Sequence, residues 1–172
     1  MFSLAFSYFS QNQIIFSDKI NLKTGYFLGQ IFGNAAFEEL LFRGLLFTQF
    51  YLLFKYKFSD KKAIVLAIIS SQLFFAIIHI PNRLMINQVD NLLADLIKIF
   101  IVGIIFTLIY LKTKNLIYLT GVHSLVNVPL MINETKFPTP LIILFLAMAI
   151  SLFWNKLNNK MKEEEEHLAV IN

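Results

Sequence analysis

The chain has 172 residues, of which 57% are hydrophobic and 15% charged, with a net charge of +4 and a mean hydropathy of +0.65. A soluble domain of that length needs far more polar surface over its core, so an aqueous globular domain is excluded and lipid is the expected cover. There is no cysteine, which removes thiol nucleophiles, thiolate metal sites and disulfides. The basic residues fall in short loops between apolar runs, where they read as a topology signal and not as a nucleic-acid surface.

In chain order, residues 1–25 form an N-terminal segment that is Phe-rich as far as Phe16 but interrupted by Ser10, Gln11, Asn12 and Gln13. It has neither a basic n-region nor a small-residue cleavage site, so it does not read as a signal peptide. An interfacial helix is expected there, with a partial sixth span as the alternative. Residues 26–155 form a membrane-embedded domain of five apolar segments, at 26–54, 63–80, 92–111, 116–132 and 138–154. Each is near or above the ~20 residues that cross a ~30 Å hydrocarbon core. The first is long enough to be tilted, or to begin as a separate piece near Gly29 or Gly33. Pro81 closes the second segment, Pro129 lies late in the fourth, and Pro138 and Pro140 open the fifth. Lipid cannot satisfy open backbone groups, so every span is expected to be helical. The expected fold is all-α: a polytopic transmembrane helix bundle of about five spans plus the N-terminal interfacial helix. Residues 156–172 read as a charged cytoplasmic tail, with Glu163 to Glu166 a solvated run.

Loop charges set the orientation. Lys55, Lys57, Lys61, Lys62, Lys112, Lys114, Lys156, Lys160 and Lys162 fall on one side, nine in all; Lys19, Lys23, Arg83 and Lys136 make four on the other. The chain is therefore expected to be a multi-pass cell-membrane protein with its C-terminus in the cytoplasm.

Against that background a few polar residues stand out. An ionisable group at the bilayer centre costs about 2.5–3.5 kcal/mol on insertion scales, so it needs a partner or a wet cavity. Glu39 and Arg43 are four apart and can pair along one helix face; helix glue explains that pair but leaves Glu38, about 100° round the axis, facing elsewhere. His79 ends the second segment, with Phe75 one turn before it. His123 and Asn127 share one face of the fourth segment, ~6 Å apart along the axis; Asn can serve as interhelical glue, but a His–Asn pair within lipid is less easily explained as packing. With the charge-derived orientation, all of these fall in the outer half of the bilayer.

Among routes to intramembrane proteolysis, a thiol is excluded, no GxSx serine exists, Asp95 has no second intramembrane Asp, and HExxH is absent. Glu, two His and Asn remain. Glu38-Glu39 through Arg43 (EExxxR), Phe75 through His79 (FxxxH) and His123 through Asn127 (HxxxN), in that order and each on its own apolar segment, resemble the CPBP family. These are the CAAX protease and bacteriocin-processing membrane proteins, also called the Abi or type II CAAX prenyl endopeptidase family. The resemblance spans roughly residues 31–132 and includes the turn from Tyr110 to Asn115. The chain departs from the family pattern at its N-terminus, where members usually carry more spans.

The resemblance implies an intramembrane endopeptidase. Glu38 would be the general base for water, His79 would orient or share that water, and His123 and Asn127 would donate to the oxyanion. Glu39, held by Arg43, would position the helix, and Phe75 would pack beneath His79. No cofactor is the preferred reading; a zinc ion held by Glu38, Glu39, His79 and His123 is the alternative. Expected partners are the lipid bilayer and a hydrophobic or membrane-anchored peptide or protein substrate. A non-catalytic binding or bacteriocin-immunity role is the second function, and a proton-coupled transporter the third, disfavoured by the lack of an inverted repeat. A prenylated substrate would lie on the cytosolic side, whereas the charge count puts the site toward the outer leaflet.

Overall fold

A computed structural model describes residues 20–85, 91–129 and 138–159. The interfacial-helix expectation for the N-terminus and the acidic run of the tail lie outside these residues. Among the described residues every regular element is helical and there is no strand.

The first apolar segment forms one unbroken helical run. It comprises α1 (Ile20–Gly29), a π-helical stretch (Gln30–Asn34), α2 (Ala35–Glu39), a second π-helical stretch (Leu40–Leu46) and α3 (Phe47–Lys55). The break considered near Gly29 or Gly33 does not occur. The wider π turns take its place, so the helix is rewound there and not interrupted. α4 (Asp60–Ile78) leads directly into the short α5 (Ile80–Met85). α6 (Leu92–Thr113) ends where Lys114 enters the left-handed region, at φ 54°, and gives its N–H back to the Tyr110 carbonyl at 2.7 Å. Asn115 then caps α7 (Leu116–Asn127), its side-chain oxygen accepting from the Tyr118 N–H at 2.8 Å. α8 (Thr139–Leu152) begins just after Pro138, with Pro140 in its first turn, where proline costs no hydrogen bond.

Two helical stretches are long and apolar enough to cross a membrane. They are Asp60–Met85, of 26 residues and hydropathy 2.3, and Leu92–Thr113, of 22 residues and hydropathy 2.5. Only 39% and 22% of their apolar windows are buried within the protein, unlike the core helix of a soluble domain. The fourth and fifth segments differ from expectation in length. Their helices have 12 and 14 residues, or about 18 and 21 Å at 1.5 Å per residue, short of a ~30 Å core. Pro129, two residues past Asn127, lacks the N–H that would continue α7 and biases the residue before it away from helix.

The helices pack as a bundle: α3 on α4, α4 on α6, α6 on α8, α7 on α8, and α2 on α7. Phe106, Ile109, Leu119, Val122, Leu144 and Ala147 fill the space between α6, α7 and α8. Phe47, Ala67 and Ile68 do the same between α3 and α4. The polarity is inverted relative to a soluble protein. Phe32, Tyr56, Met85, Ile117 and Phe145 are exposed, while Glu39, Arg43, Gln72, Thr107 and Ser124 are wholly buried. An apolar exterior around a polar interior suits lipid as the solvent, where packing and interhelical hydrogen bonds hold helices together.

The closest approach that matters is at Gly103 on α6. A Cβ there would run into the Gln72 side-chain oxygen and lie 3.1 Å from the Phe75 ring. Gly103 thus sets how near α4 comes to α6 and fixes the register in which their polar side chains meet.

Candidate active site

The site is built on α2 and on facing residues of α4, α6 and α7. The two π-helical stretches lie immediately before and after α2, which carries Glu38 and Glu39. Residues four apart in an α-helix advance about 40° round the axis; a π turn, with more residues per turn, offsets part of that drift. Gln30, Asn34 and Glu38 consequently all line one cavity.

That cavity has a volume of ≈ 410 Å³ and is also lined by Phe75, His79, His123 and Asn127. Glu39 and Arg43 stand behind it, fully buried. The Arg43 Nη1 donates to Glu39 Oε1 at 3.1 Å. The same oxygen accepts from His123 Nδ1 at 2.7 Å, a charge-assisted length. With Nδ1–H committed to Glu39, the His123 Nε2 faces the cavity and lies 3.6 Å from Glu38 Oε2. That separation is too long for a hydrogen bond, so both atoms remain available to a third group. The Glu38 side chain is only 15% accessible.

His79 caps the C-terminal end of α4. Its Nδ1 donates to the Phe75 carbonyl at 2.7 Å, an assignment that leaves Nε2 with a free lone pair. The Phe75 ring meets His79 edge-on at 4.7 Å between centroids. Asn127 sits at the exposed end of α7, where its Nδ2 donates to Gln30 Oε1 at 3.1 Å. Glu38, His79, His123 and Asn127 therefore share one cavity, whereas Glu39 and Arg43 reach it only through His123.

Several residues were not singled out from the sequence. Arg43 Nη2 donates to Gln72 Oε1 at 3.3 Å and to the Gly103 carbonyl at 3.2 Å. The guanidinium lies between the rings of Phe75 and Phe106, 4.8 and 5.5 Å from their centroids, where a desolvated cation gains from both π faces. The signal was present in the sequence: Ser71-Gln72 is a polar pair in mid-span, and an intramembrane Gln requires a partner.

The donor set also bears on zinc. Among the described residues no group of three or more His, Asp and Glu side chains could hold a metal ion. In this arrangement Glu39 Oε1 is committed to Arg43 and His123, and His123 Nδ1 to Glu39.

Residues 20–129 match the family model described as type II CAAX prenyl endopeptidase Rce1-like. This chain belongs to that family. No curated protein and no solved structure matches it. Membership in the Rce1-like family makes the chain a membrane protein of the CAAX-protease-like enzyme class, consistent with its apolar exterior. The EExxxR, FxxxH and HxxxN residues all lie within the matched Rce1-like region.

Proposed function

We propose that this chain is an intramembrane endopeptidase, and that it cleaves a hydrophobic or membrane-anchored peptide or protein without a metal. One observation carries the reading. Glu38 lies on the wall of a polar cavity opposite an imidazole whose far nitrogen is anchored on a second, buried carboxylate.

Glu38 takes a proton from water, which attacks the scissile carbonyl. His79 Nε2, with its lone pair toward the cavity, holds the same water. The oxyanion is met by His123 Nε2–H, with the ring as imidazolium, and by the second amide hydrogen of Asn127, whose first is on Gln30. Collapse of the tetrahedral intermediate breaks the C–N bond, and Glu38 returns its proton to the leaving amine. Glu39 and Arg43 remain outside the chemistry: their role is to hold the His123 ring. Burial of the site in an apolar surround strengthens each of these contacts.

A metal-free mechanism makes a direct prediction. Purified protein in detergent or liposomes is expected to cut a membrane-anchored reporter peptide at the same rate before and after exhaustive chelation. Loss of activity on chelation, restored by zinc alone, would overturn the mechanism.

For orientation, we propose a C-terminus in the cytoplasm, supported by nine basic residues against four, with five crossings in which the short α7 and α8 are completed by flanking chain. The cavity then opens in the outer half of the bilayer, and the substrate approaches from that leaflet. A reporter enzyme active only in the cytoplasm, fused after Asn172, is expected to be active. An inactive fusion in cells that insert the protein normally would reverse the orientation.

A further inference from the structure

Behind the cavity a chain of hydrogen bonds reaches the motif residues from side chains that belong to none of the three motifs. Gln72 on α4 is its centre and has no exposed surface. Its Oε1 accepts from Arg43 Nη2 at 3.3 Å. Its Nε2 donates to Thr107 Oγ1 at 2.9 Å and to Ser71 Oγ at 3.0 Å. Both hydroxyls spend their own hydrogens on backbone carbonyls, Thr107 on Gly103 at 3.0 Å and Ser71 on Ile68 at 3.2 Å. They can therefore only accept from Gln72. The amide is fixed with its nitrogen toward the hydroxyls and its oxygen toward Arg43. Flipping it would set amide hydrogens against the guanidinium and an oxygen against two hydroxyls already used.

We propose that Gln72 is a positioning residue of the site, acting through Arg43 and Glu39 on the His123 ring. The path is continuous: Thr107 and Ser71 orient Gln72; Gln72 and the Gly103 carbonyl hold Arg43 Nη2; Arg43 Nη1 and His123 Nδ1 meet on the same Glu39 oxygen. The chemistry requires this residue type. One acceptor and two donors at that distance from the backbone are what a glutamine amide supplies. A glutamate would force both hydroxyls off their carbonyls, and an isosteric apolar side chain would leave Arg43 Nη2 with the Gly103 carbonyl alone. The Gln72 amide has every donor and its acceptor engaged, which fixes its orientation in a low-dielectric interior, while Glu39 Oε2 and Arg43 Nε remain without a partner. Phe106 completes the cradle, its ring 4.8 Å from His123 and 5.5 Å from Arg43.

The inference rests on the reading of His123 as a working group of the cavity, so its test separates the two. Gln72→Met is expected to lower kcat about 10- to 100-fold per folded enzyme, the usual effect of losing a partner that orients a working side chain. KM should stay within about twofold, since no substrate contact is removed. In histidine-labelled protein, which has three His, the His123 imidazole nitrogens are identified by their loss in His123→Asn. They are expected to report a strongly hydrogen-bonded, slowly exchanging Nδ1–H in the parent protein and a more weakly bonded, faster-exchanging one in Gln72→Met. Thr107→Val, an isosteric change one bond further back, is expected to show the same effects at smaller size and serves where Gln72→Met does not fold. A variant with less folded protein but unchanged kcat and an unchanged His123 spectrum would overturn the positioning role. The spectrum requires no cleavage, so it reads the network even where the peptidase reading itself has failed in the Glu38 variant.

Discussion

Glu38→Gln is expected to lower cleavage of a membrane-anchored peptide by about 10²- to 10⁴-fold, the range for removing a positioned general base. The substitution keeps the shape of the side chain and removes only its ability to take a proton. Glu38 makes no hydrogen bond with His123, but at 3.6 Å it faces that ring as an ion pair, so the stability cost should be about 1 kcal/mol, far smaller than the effect on cleavage. The measurement is cleavage per folded protein, alongside an unfolding curve in detergent. Full activity in a variant that inserts and folds normally would remove the peptidase reading. Glu39→Gln is the useful contrast, because that carboxylate is buried and holds both Arg43 and His123. There, activity and stability should fall together.

The second large effect is on folding. Arg43→Met should cost about 3–5 kcal/mol, the penalty for removing one partner of a buried ion pair. Glu39 is 0% exposed and would retain only the His123 N–H. The same change empties the space between Phe75 and Phe106 of its cation and frees Gln72 and the Gly103 carbonyl. Chemical unfolding in mixed micelles is the measurement. Adding Glu39→Gln to Arg43→Met should restore part of the loss, because the stranded charge is then gone. An Arg43→Met protein as stable as its parent would show that the cluster contributes nothing to the fold.

Both expectations depend on how much of the site a single helix determines. Two contacts were legible from spacing alone. Glu39 and Arg43, four apart, pair at 3.1 Å, and Phe75 packs against His79 at 4.7 Å, because helical geometry brings residues four apart together whatever surrounds them. Contacts between helices were not legible. His123 meets Glu39 across 84 residues, and Arg43 meets Gln72 across 29. The first depends on how the helix of Glu39 packs against α7, and the second on the close approach of α4 to α6 at Gly103, whose carbonyl shares Arg43 with Gln72.

Helix ends were legible only in part. The turn after α6 reads from Lys114 and Asn115, while the short α7 was masked by an apolar run that continues through Pro129 to Ile132. Hydropathy measures how apolar a run is; a proline inside the run decides where its hydrogen bonds stop.

What set the chain apart at the outset was an apolar composition with too little charge for water. The sequence by itself determined that lipid covers the protein, that its described elements are helical, and which Glu, His and Asn residues interrupt the apolar runs. Those are properties of composition and of spacing along one strand of chain. Only the tertiary structure decided what each interruption faces: Glu38 a cavity, Glu39 a guanidinium and an imidazole, Gln72 the far side of that guanidinium. The reason is physical. A buried polar group takes its partner from whichever helix lies against it, and that is set by packing between segments distant in sequence.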